Sequence, residues 1–120
     1  MKKCLVVDDV EVTRFTVKQI VSDLGLDLVM AVTGDEALAA LRHDQIDVVL
    51  LDWYLRKKSG LELLAQIRAE FGARLPVILF SGVESSNKRD EALRAGANAF
   101  LEKPTTKEKL EVCFKELGIV

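Results

Sequence analysis

The chain has 120 residues, which fits one domain, and its 49% apolar and 30% charged residues are typical of a globular protein rather than a disordered or fibrous one. Its 17 basic and 19 acidic residues leave a net charge of −2, which argues against nucleic-acid binding through bulk charge. No apolar run approaches the roughly 20 residues that a membrane span needs, and Asp8 and Asp9 end the first apolar run too early for a signal peptide.

Five short apolar runs are predicted to be strands, because each is too short for a typical helix. In chain order they cover residues 4–7, 26–32, 48–51, 77–80 and 97–101. The first, third and fourth are apolar on both faces, as strands buried in a parallel sheet are. The second and fifth contain Asp27 and Asn98, so we expect them at the edges of the sheet.

Amphipathic stretches follow these runs, with apolar residues at the spacing of a helix face. In chain order they cover residues 17–24, 34–43, 63–71, 86–95 and 110–117. The stretch over 86–95 is polar and weakly amphipathic, so we expect this helix to dock most loosely.

Start and stop signals agree with these helices. Three Ser/Thr-x-x-Glu pairs predict capping boxes: Thr33 with Glu36, Ser59 with Glu62, and Thr105 with Glu108. Four glycines follow the helical stripes, where a left-handed residue ends a helix: Gly25, Gly72, Gly96 and Gly118. The chain therefore alternates five strands with five helices.

This alternation predicts the fold class. Strands that alternate with helices form a parallel sheet with helices on both faces. Right-handed crossovers then give an α/β, doubly wound, five-stranded parallel sheet of the flavodoxin-like type, with strand order 2-1-3-4-5. Other strand orders stay compatible with the alternation.

Cysteine and histidine usage restricts the chemistry. Two cysteines far apart and one histidine are too few to assemble a Cys/His metal site. A chain of this length folds without disulfides, so we expect both thiols to be reduced in a cytoplasmic protein.

Polar side chains follow four of the predicted strands, at the edge of the sheet where ligands bind in this fold class. They are Asp8, Asp9, Asp52, Ser81 and Lys103. Each alone fits a capping, loop or turn role. Two carboxylates about 5 Å apart, however, repel by roughly 3 kcal/mol at an effective dielectric of 20, and a hard divalent cation relieves this repulsion. We therefore predict a Mg²⁺ site, beside which an ammonium and a hydroxyl would bind an oxyanion attached to one carboxylate.

The order and spacing of these residues resemble the receiver domain of two-component response regulators over essentially the whole chain. The resemblance rests on Asp8-Asp9 after the first strand, Asp52 after the third, Ser81 after the fourth and Lys103-Pro104 after the fifth. Trp53 after Asp52 is similar to the chemotaxis response regulator, although one residue does not assign a pathway. We expect residues 1–120 to form a single, stand-alone receiver domain with no output domain.

The resemblance implies a phosphoacceptor and a metal site. Asp52 would accept the phosphoryl group. Asp8, Asp9 and Asp52 would hold Mg²⁺, together with the backbone carbonyl of Tyr54.

It also implies a switch. Ser81 and Lys103 would bind the phosphoryl group, and the Lys103-Pro104 peptide bond would be cis. Phosphorylation would draw Ser81 inward and let the aromatic ring of Phe100 turn inward with it. The face formed by the fourth helix, fifth strand and fifth helix would then bind a downstream target protein.

The loop after Asp52 departs from the family's pattern. Leu55 and Arg56 stand where the family often has Met-Pro, and Gly60 is kept. Without Pro the loop is less preset. Residues 56–58 are basic, which is typical of a solvated loop.

Two further residues are expected to set the phosphoryl lifetime. They are Tyr54, two residues after Asp52, and Val83, two residues after Ser81. Neither side chain is a carboxylate or an amide that could orient a water, so both should slow hydrolysis.

The resemblance implies a signalling module rather than a dedicated enzyme. A sensor histidine kinase or a histidine phosphotransfer protein would phosphorylate it, and no direct contact with nucleic acid and no membrane insertion are expected.

Three other functions compete with the signalling module. An aspartyl-nucleophile phosphatase of the haloacid-dehalogenase type would have Asp at the position of Tyr54. A nucleotide or flavin binder would have a glycine-rich loop after the first strand. A receiver that docks partners without phosphorylation remains open, although the intact acidic set disfavours it.

Overall fold

The computed structural model describes residues 1–82 and 86–120, and in them five strands alternate with five helices. The strands are β1 (Lys3–Val7), β2 (Asp27–Ala31), β3 (Val48–Asp52), β4 (Val77–Ser81) and β5 (Ala99–Glu102). The helices are α1 (Glu11–Asp23), α2 (Gly34–His43), α3 (Gly60–Phe71), α4 (Ser86–Arg94) and α5 (Lys107–Glu116).

All four strand pairs are parallel, and the strand order is β2-β1-β3-β4-β5. The α/β doubly wound fold and its predicted strand order are therefore confirmed. β2 and β5 lie at the two edges, as the polar residues near them predict. Within the described residues, no helix has the length and apolar character of a membrane span.

The sheet separates two apolar cores, because successive side chains of a strand point to opposite faces. In β1, Leu5 and Val7 join the core that α2 and α3 cover. Cys4 and Val6 join the core that α1 and α5 cover. Burial on both faces holds the middle strands rigidly, and the polar residues that follow these strands inherit that rigidity.

Two of the three predicted capping boxes are confirmed at the backbone of the helix. The Thr33 hydroxyl accepts a hydrogen bond from the Glu36 N–H, and the Ser59 hydroxyl accepts one from the Glu62 N–H.

The third predicted box is wrong by one residue. α5 begins at Lys107, so Thr106 occupies the N-cap position and accepts the hydrogen bond from the Lys109 N–H. The hydroxyl oxygen of Thr105 is buried and has no hydrogen-bond partner among the described residues. Two adjacent threonines offer the same hydroxyl, and only the start of the helix selects between them.

The four helix-ending glycines have the left-handed backbone that their positions predict. Their φ angles lie between 75° and 107° at Gly25, Gly72, Gly96 and Gly118. A side chain would strain the backbone at each of them.

The observed β5 begins two residues later than predicted and extends to Glu102. Asn98 precedes the strand, where its side-chain oxygen accepts hydrogen bonds from the Val77 N–H and from Arg68. A polar residue that closes the amino end of the sheet thus accounts for the interruption seen in the sequence.

Candidate functional site

Three carboxylates meet at the carboxyl end of β1 and β3. Val7 pairs with Leu51 in the sheet register, so Asp8 and Asp52 leave neighbouring strands at the same level. One oxygen of Asp8, one of Asp9 and one of Asp52 lie within 4.8 Å of one another. Asp8 and Asp52 are buried, whereas Asp9 is partly exposed. The predicted acidic cluster therefore exists in the folded chain.

Asp9 does not cap α1, although its position just before the helix would allow it. α1 has Val10 at its N-cap and no side-chain hydrogen bond there. Asp8 instead organises this turn, because its Oδ1 accepts a hydrogen bond of 2.8 Å from the Val10 N–H.

Lys103, the residue after β5, joins the cluster. Its ammonium lies 2.7 Å from Asp8 Oδ2 and 3.0 Å from Asp52 Oδ1. The Lys103-Pro104 peptide bond is cis, as the resemblance implies. The Lys103 N–H donates to the Ser81 carbonyl at 2.8 Å, which holds this turn against the end of β4. Ser81 itself is fully buried.

The pKa of Asp52 lies above the ordinary value of an aspartate. Burial is the main cause, and the negative charge of Asp8 raises the pKa further. The Lys103 ammonium and the Tyr54 N–H, which both hydrogen-bond to the Asp52 carboxylate, act in the opposite direction. Three carboxylates with one partly buried ammonium leave an excess of negative charge, and an added cation would relieve it.

Gly60 holds the loop between β3 and α3 close to the carboxyl end of β3. The Gly60 N–H donates to the Trp53 carbonyl at 2.7 Å. A Cβ at Gly60 would stand 2.4 Å from the Asp52 carbonyl oxygen. Glycine is therefore required for this close approach of the two backbones.

Arg56 in this loop has a partner that the sequence did not indicate. Its Nε lies 3.4 Å from Asp9 Oδ2, while most of its side chain is exposed. The predicted solvated basic loop therefore contributes one cation to the rim of the acidic cluster.

Phe100, which we predict to be the switch aromatic, already lies inside the protein. Phe100 is buried and packs edge-on against Trp53 with 6.0 Å between ring centroids. The inward position that we expected after phosphorylation is thus present in this structure.

Two consecutive residues of α4 contact these rings. The Lys88 ammonium lies 4.4 Å from the Trp53 ring centroid and 2.5 Å from the Tyr54 hydroxyl oxygen. The Arg89 guanidinium lies 5.5 Å from the Phe100 ring centroid. Sequence reasoning missed both cations, because α4 showed only a weak apolar pattern and no motif that points to the site.

Tyr54 and Val83 are the two residues that we predict to set the phosphoryl lifetime. Tyr54 is 54% exposed, and its hydroxyl accepts the Lys88 hydrogen bond. Val83 lies outside the described residues.

Comparisons with known proteins agree with this geometry. The family model described as "Response regulator receiver domain" matches residues 4–115. The chain is 36% identical over 121 residues to chemotaxis protein CheY-3 of Vibrio cholerae serotype O1, covering 96% of this chain and 93% of that protein.

Solved structures give the same result. The chemotaxis protein CheY4 of Vibrio cholerae superposes with a TM-score of 0.90 at 28% identity, covering 98% of both chains. The receiver domain of sensor histidine kinase PA1611 from Pseudomonas aeruginosa, described with a magnesium ion coordinated in its active site cleft, superposes with a TM-score of 0.86 at 26% identity over 98% of both chains.

Proposed function

The chain belongs to the response regulator receiver domain family, and from that premise we propose that Asp52 accepts a phosphoryl group from a histidine kinase or histidine phosphotransfer protein. Receiver domains are signalling proteins of two-component systems rather than dedicated enzymes, and they bind Mg²⁺ at an acidic cluster. The observation that carries the proposal is the ammonium of Lys103 between Asp8 and Asp52, inside a cluster of three carboxylates.

The proposed step is a displacement at phosphorus. An Asp52 carboxylate oxygen attacks the phosphorus of a phosphohistidine, a P–O bond forms, and the P–N bond breaks as the imidazole leaves. Lys103 already lies 3.0 Å from Asp52 Oδ1, so its charge would stabilise the phosphoryl oxygens without further movement. Ser81 would hydrogen-bond another phosphoryl oxygen.

The residues present fit a magnesium ion. Oxygen atoms of Asp8, Asp9 and Asp52 within 4.8 Å of one another are the hard donors that Mg²⁺ prefers. These side chains and the Tyr54 backbone carbonyl would hold the ion. When bound, Mg²⁺ would supply charge neutralisation for the phosphoryl oxygens.

An exposed apolar patch beside the acidic cluster supports docking of the phosphodonor there. Val10, Val12, Phe15 and Met30 are all exposed, at the start of α1 and on the neighbouring edge strand β2. Arg56 of the basic loop 56–58 also contacts the cluster, with its Nε 3.4 Å from Asp9 Oδ2. A donor protein with an apolar helix face and acidic neighbours would complement both surfaces.

The output surface is proposed to be the face of α4, β5 and α5. Leu93 on α4 and Val112 on α5 are exposed apolar side chains that a target protein could bury. Phosphorylation should therefore change amide exchange most between residues 82 and 107. Equal change over all five helices would contradict this assignment.

A cytoplasmic location is also part of the proposal. Both cysteines are free and buried, and burial raises the pKa of the Cys113 thiol to about 11. Such thiols are poor nucleophiles and need no disulfide partner.

We also propose that Tyr54 and Val83 lengthen the lifetime of the phosphoryl group on Asp52. Tyr54 is anchored through its hydroxyl, which supports a fixed barrier to water near Asp52. Autodephosphorylation should be faster in Tyr54→Asn and in Val83→Glu than in the parent at saturating Mg²⁺.

Labelling tests the function directly. A small phosphodonor with Mg²⁺ should place one acid-labile, hydroxylamine-sensitive phosphoryl group on each chain, and Asp52→Asn should take none. Ser59→Ala, a change at the α3 cap, is the control and should label like the parent. Labelling of Asp52→Asn at the parent's rate would overturn the acceptor, and an unlabelled parent would favour the phosphorylation-independent docking module.

A further inference from the structure

Lys88 connects helix α4 to the loop that follows Asp52. Its ammonium is 4.4 Å from the centroid of the Trp53 ring and 4.7 Å from the centroid of the Tyr54 ring. The same ammonium donates a hydrogen bond of 2.5 Å to the Tyr54 hydroxyl. One cation thus contacts two aromatic residues that directly follow the candidate acceptor.

The other end of Tyr54 is tied to the acceptor itself. The Tyr54 N–H hydrogen-bonds to the Asp52 carboxylate. Within residues 1–82 and 86–120, Lys88 is the hydrogen-bond partner of the Tyr54 hydroxyl. Because 54% of Tyr54 is exposed, little packing holds its ring, and the Lys88 contact has a large share in fixing its position.

The ring beneath Lys88 is firmly placed. Trp53 is only 5% exposed, its backbone N–H donates to the Phe80 carbonyl at 2.9 Å, and its ring packs edge-on against Phe100. Arg89, the next residue of α4, covers the Phe100 ring and donates to the Phe100 carbonyl at 3.3 Å. Lys88 therefore bridges a fixed ring, Trp53, and an exposed one, Tyr54.

We propose that Lys88 is a positioning residue for the phosphoryl group: through its contacts with Trp53 and Tyr54 it holds the Tyr54 ring beside Asp52 and so slows hydrolysis of the phosphorylated chain. This inference rests on the proposed function of Asp52. It adds Lys88, 34 positions from Tyr54 in the chain, to the residues proposed to set the phosphoryl lifetime. It also couples α4, part of the proposed output surface, to the stability of the phosphoryl group.

The chemistry of the coupling is simple. Hydrolysis needs a water in line with the P–O bond of the aspartyl phosphate, where it attacks phosphorus and releases the Asp52 carboxylate and phosphate. A Tyr54 ring held by an ammonium occupies space on the exposed side of the acceptor for more of the time. Without the Lys88 ammonium, the Tyr54 ring should spend more time away from Asp52.

The test measures the half-life of the phosphorylated chain in Lys88→Met, Lys88→Arg and the parent, at saturating Mg²⁺. Lys88→Met keeps most of the side-chain length but removes the charge and should shorten the half-life about fivefold, which corresponds to about 1 kcal/mol. Lys88→Arg keeps a cation that binds aromatic faces and should restore most of the lifetime. Arg94→Met removes one charge from the exposed last turn of the same helix and should keep the parent's half-life.

A second background shows whether Lys88 acts through Tyr54. In Tyr54→Ala, the further change Lys88→Met should alter the half-life less than twofold. A full fivefold change in that background would overturn the positioning role.

Trp53 fluorescence gives a readout that needs no phosphorylation. Trp53 is the only tryptophan, so its emission should differ between Lys88→Met and the parent and stay the same in Arg94→Met. Unchanged emission together with an unchanged half-life in Lys88→Met would overturn the inference and leave Asp52 as acceptor. A parent that takes no phosphoryl group would overturn the proposed function, and this inference with it.

Discussion

A partly buried cation surrounded by oxygen atoms lies at each end of the parallel sheet. At the amino end, Arg68 of α3 makes five hydrogen bonds, all to neutral oxygens. The acceptors are the carbonyls of Gly72, Leu75 and Gly96 and the side-chain oxygen of Asn98. At the carboxyl end, Lys103 meets two carboxylates instead.

The two cations differ in whether negative charge around them stays unneutralised. Desolvation lowers the pKa of Arg68, yet its guanidinium satisfies carbonyls that the ends of α3, β4 and β5 would otherwise leave exposed. Lys103 neutralises only part of a cluster that also contains Asp9. The amino end is arranged for stability, whereas the carboxyl end keeps a negative charge that a ligand can use.

The largest effect should come from removing the guanidinium at the amino end. Arg68→Met leaves several carbonyls unpaired and should lower the free energy of unfolding by about 3 kcal/mol. Urea denaturation measures the change. Arg42→Met is the control, because the Arg42 pair with Glu70 is exposed and its loss should be nearly neutral.

The loss of stability in Arg68→Met should leave the acidic cluster at the other end of the sheet intact. Folded Arg68→Met should label at Asp52 at the parent's rate, because Arg68 lies at the opposite end of the sheet. An equal loss of labelling and stability would show that the two ends are not separable.

A change of the opposite sign is expected at the carboxyl end. Asp52→Asn removes like-charge repulsion with Asp8 while Lys103 keeps Asp8 as its partner. In metal-free buffer at neutral pH it should raise the free energy of unfolding by about 1 kcal/mol. Thermal unfolding of both proteins in the presence of a chelator measures the gain.

The pH dependence of that gain follows from the raised pKa of Asp52. The folded state holds this proton to higher pH than the unfolded chain does, so the parent loses stability as pH rises from 3.8 through the folded pKa. The advantage of Asp52→Asn should be absent below pH 3.8 and full above the folded pKa. An advantage that is independent of pH would contradict the electrostatic cause.

A smaller gain is expected from Asp9. It is less buried than Asp52, and Arg56 already faces it, so Asp9→Ala should stabilise the metal-free protein by about 0.5 kcal/mol. Mg²⁺ should stabilise the parent and change Trp53 fluorescence, and both responses should be lost in Asp9→Ala. A flat titration of the parent at millimolar Mg²⁺ would count against the metal site.

The smallest effect concerns the pairing of Arg56 with Asp9. Arg56→Gln removes a competing cation 3.4 Å from a proposed metal ligand, so the Mg²⁺ affinity should rise about twofold. Mg²⁺ titration followed by Trp53 fluorescence measures it, and the difference should shrink at high salt. Lys57→Gln, in the same loop, is the control. Equal gains in both variants would assign the effect to general loop charge.

Local patterns in the sequence were sufficient for the architecture. The apolar runs predicted all five strands, and the helix stripes predicted all five helices of the described chain. Their reliability has a physical cause: burial on both faces requires continuous apolar residues, and a helix on a sheet requires an apolar stripe. The errors lie at element ends, as at Thr105 and Thr106, where neighbouring residues offer the same hydrogen bond.

The candidate site was predictable for the same reason. Parallel strands bring their carboxyl ends to one edge, and all five site residues lie there. Asp52 and Ser81 are the last residues of β3 and β4, whereas Asp8, Asp9 and Lys103 come just after β1 and β5. Their convergence follows from topology, which the alternation of strands and helices implied. Only the structure shows that the Lys103 ammonium contacts Asp8 and Asp52.

The contacts of the flexible cations were decided only by the tertiary structure. Arg56 pairs with Asp9, Arg68 reaches the amino ends of β4 and β5, and Lys88 crosses from α4 to Tyr54. A long charged side chain can reach many partners, and no period or motif in the sequence selects one. The packing of helices on the sheet selects it, because it sets which oxygens and rings lie within reach of each side chain.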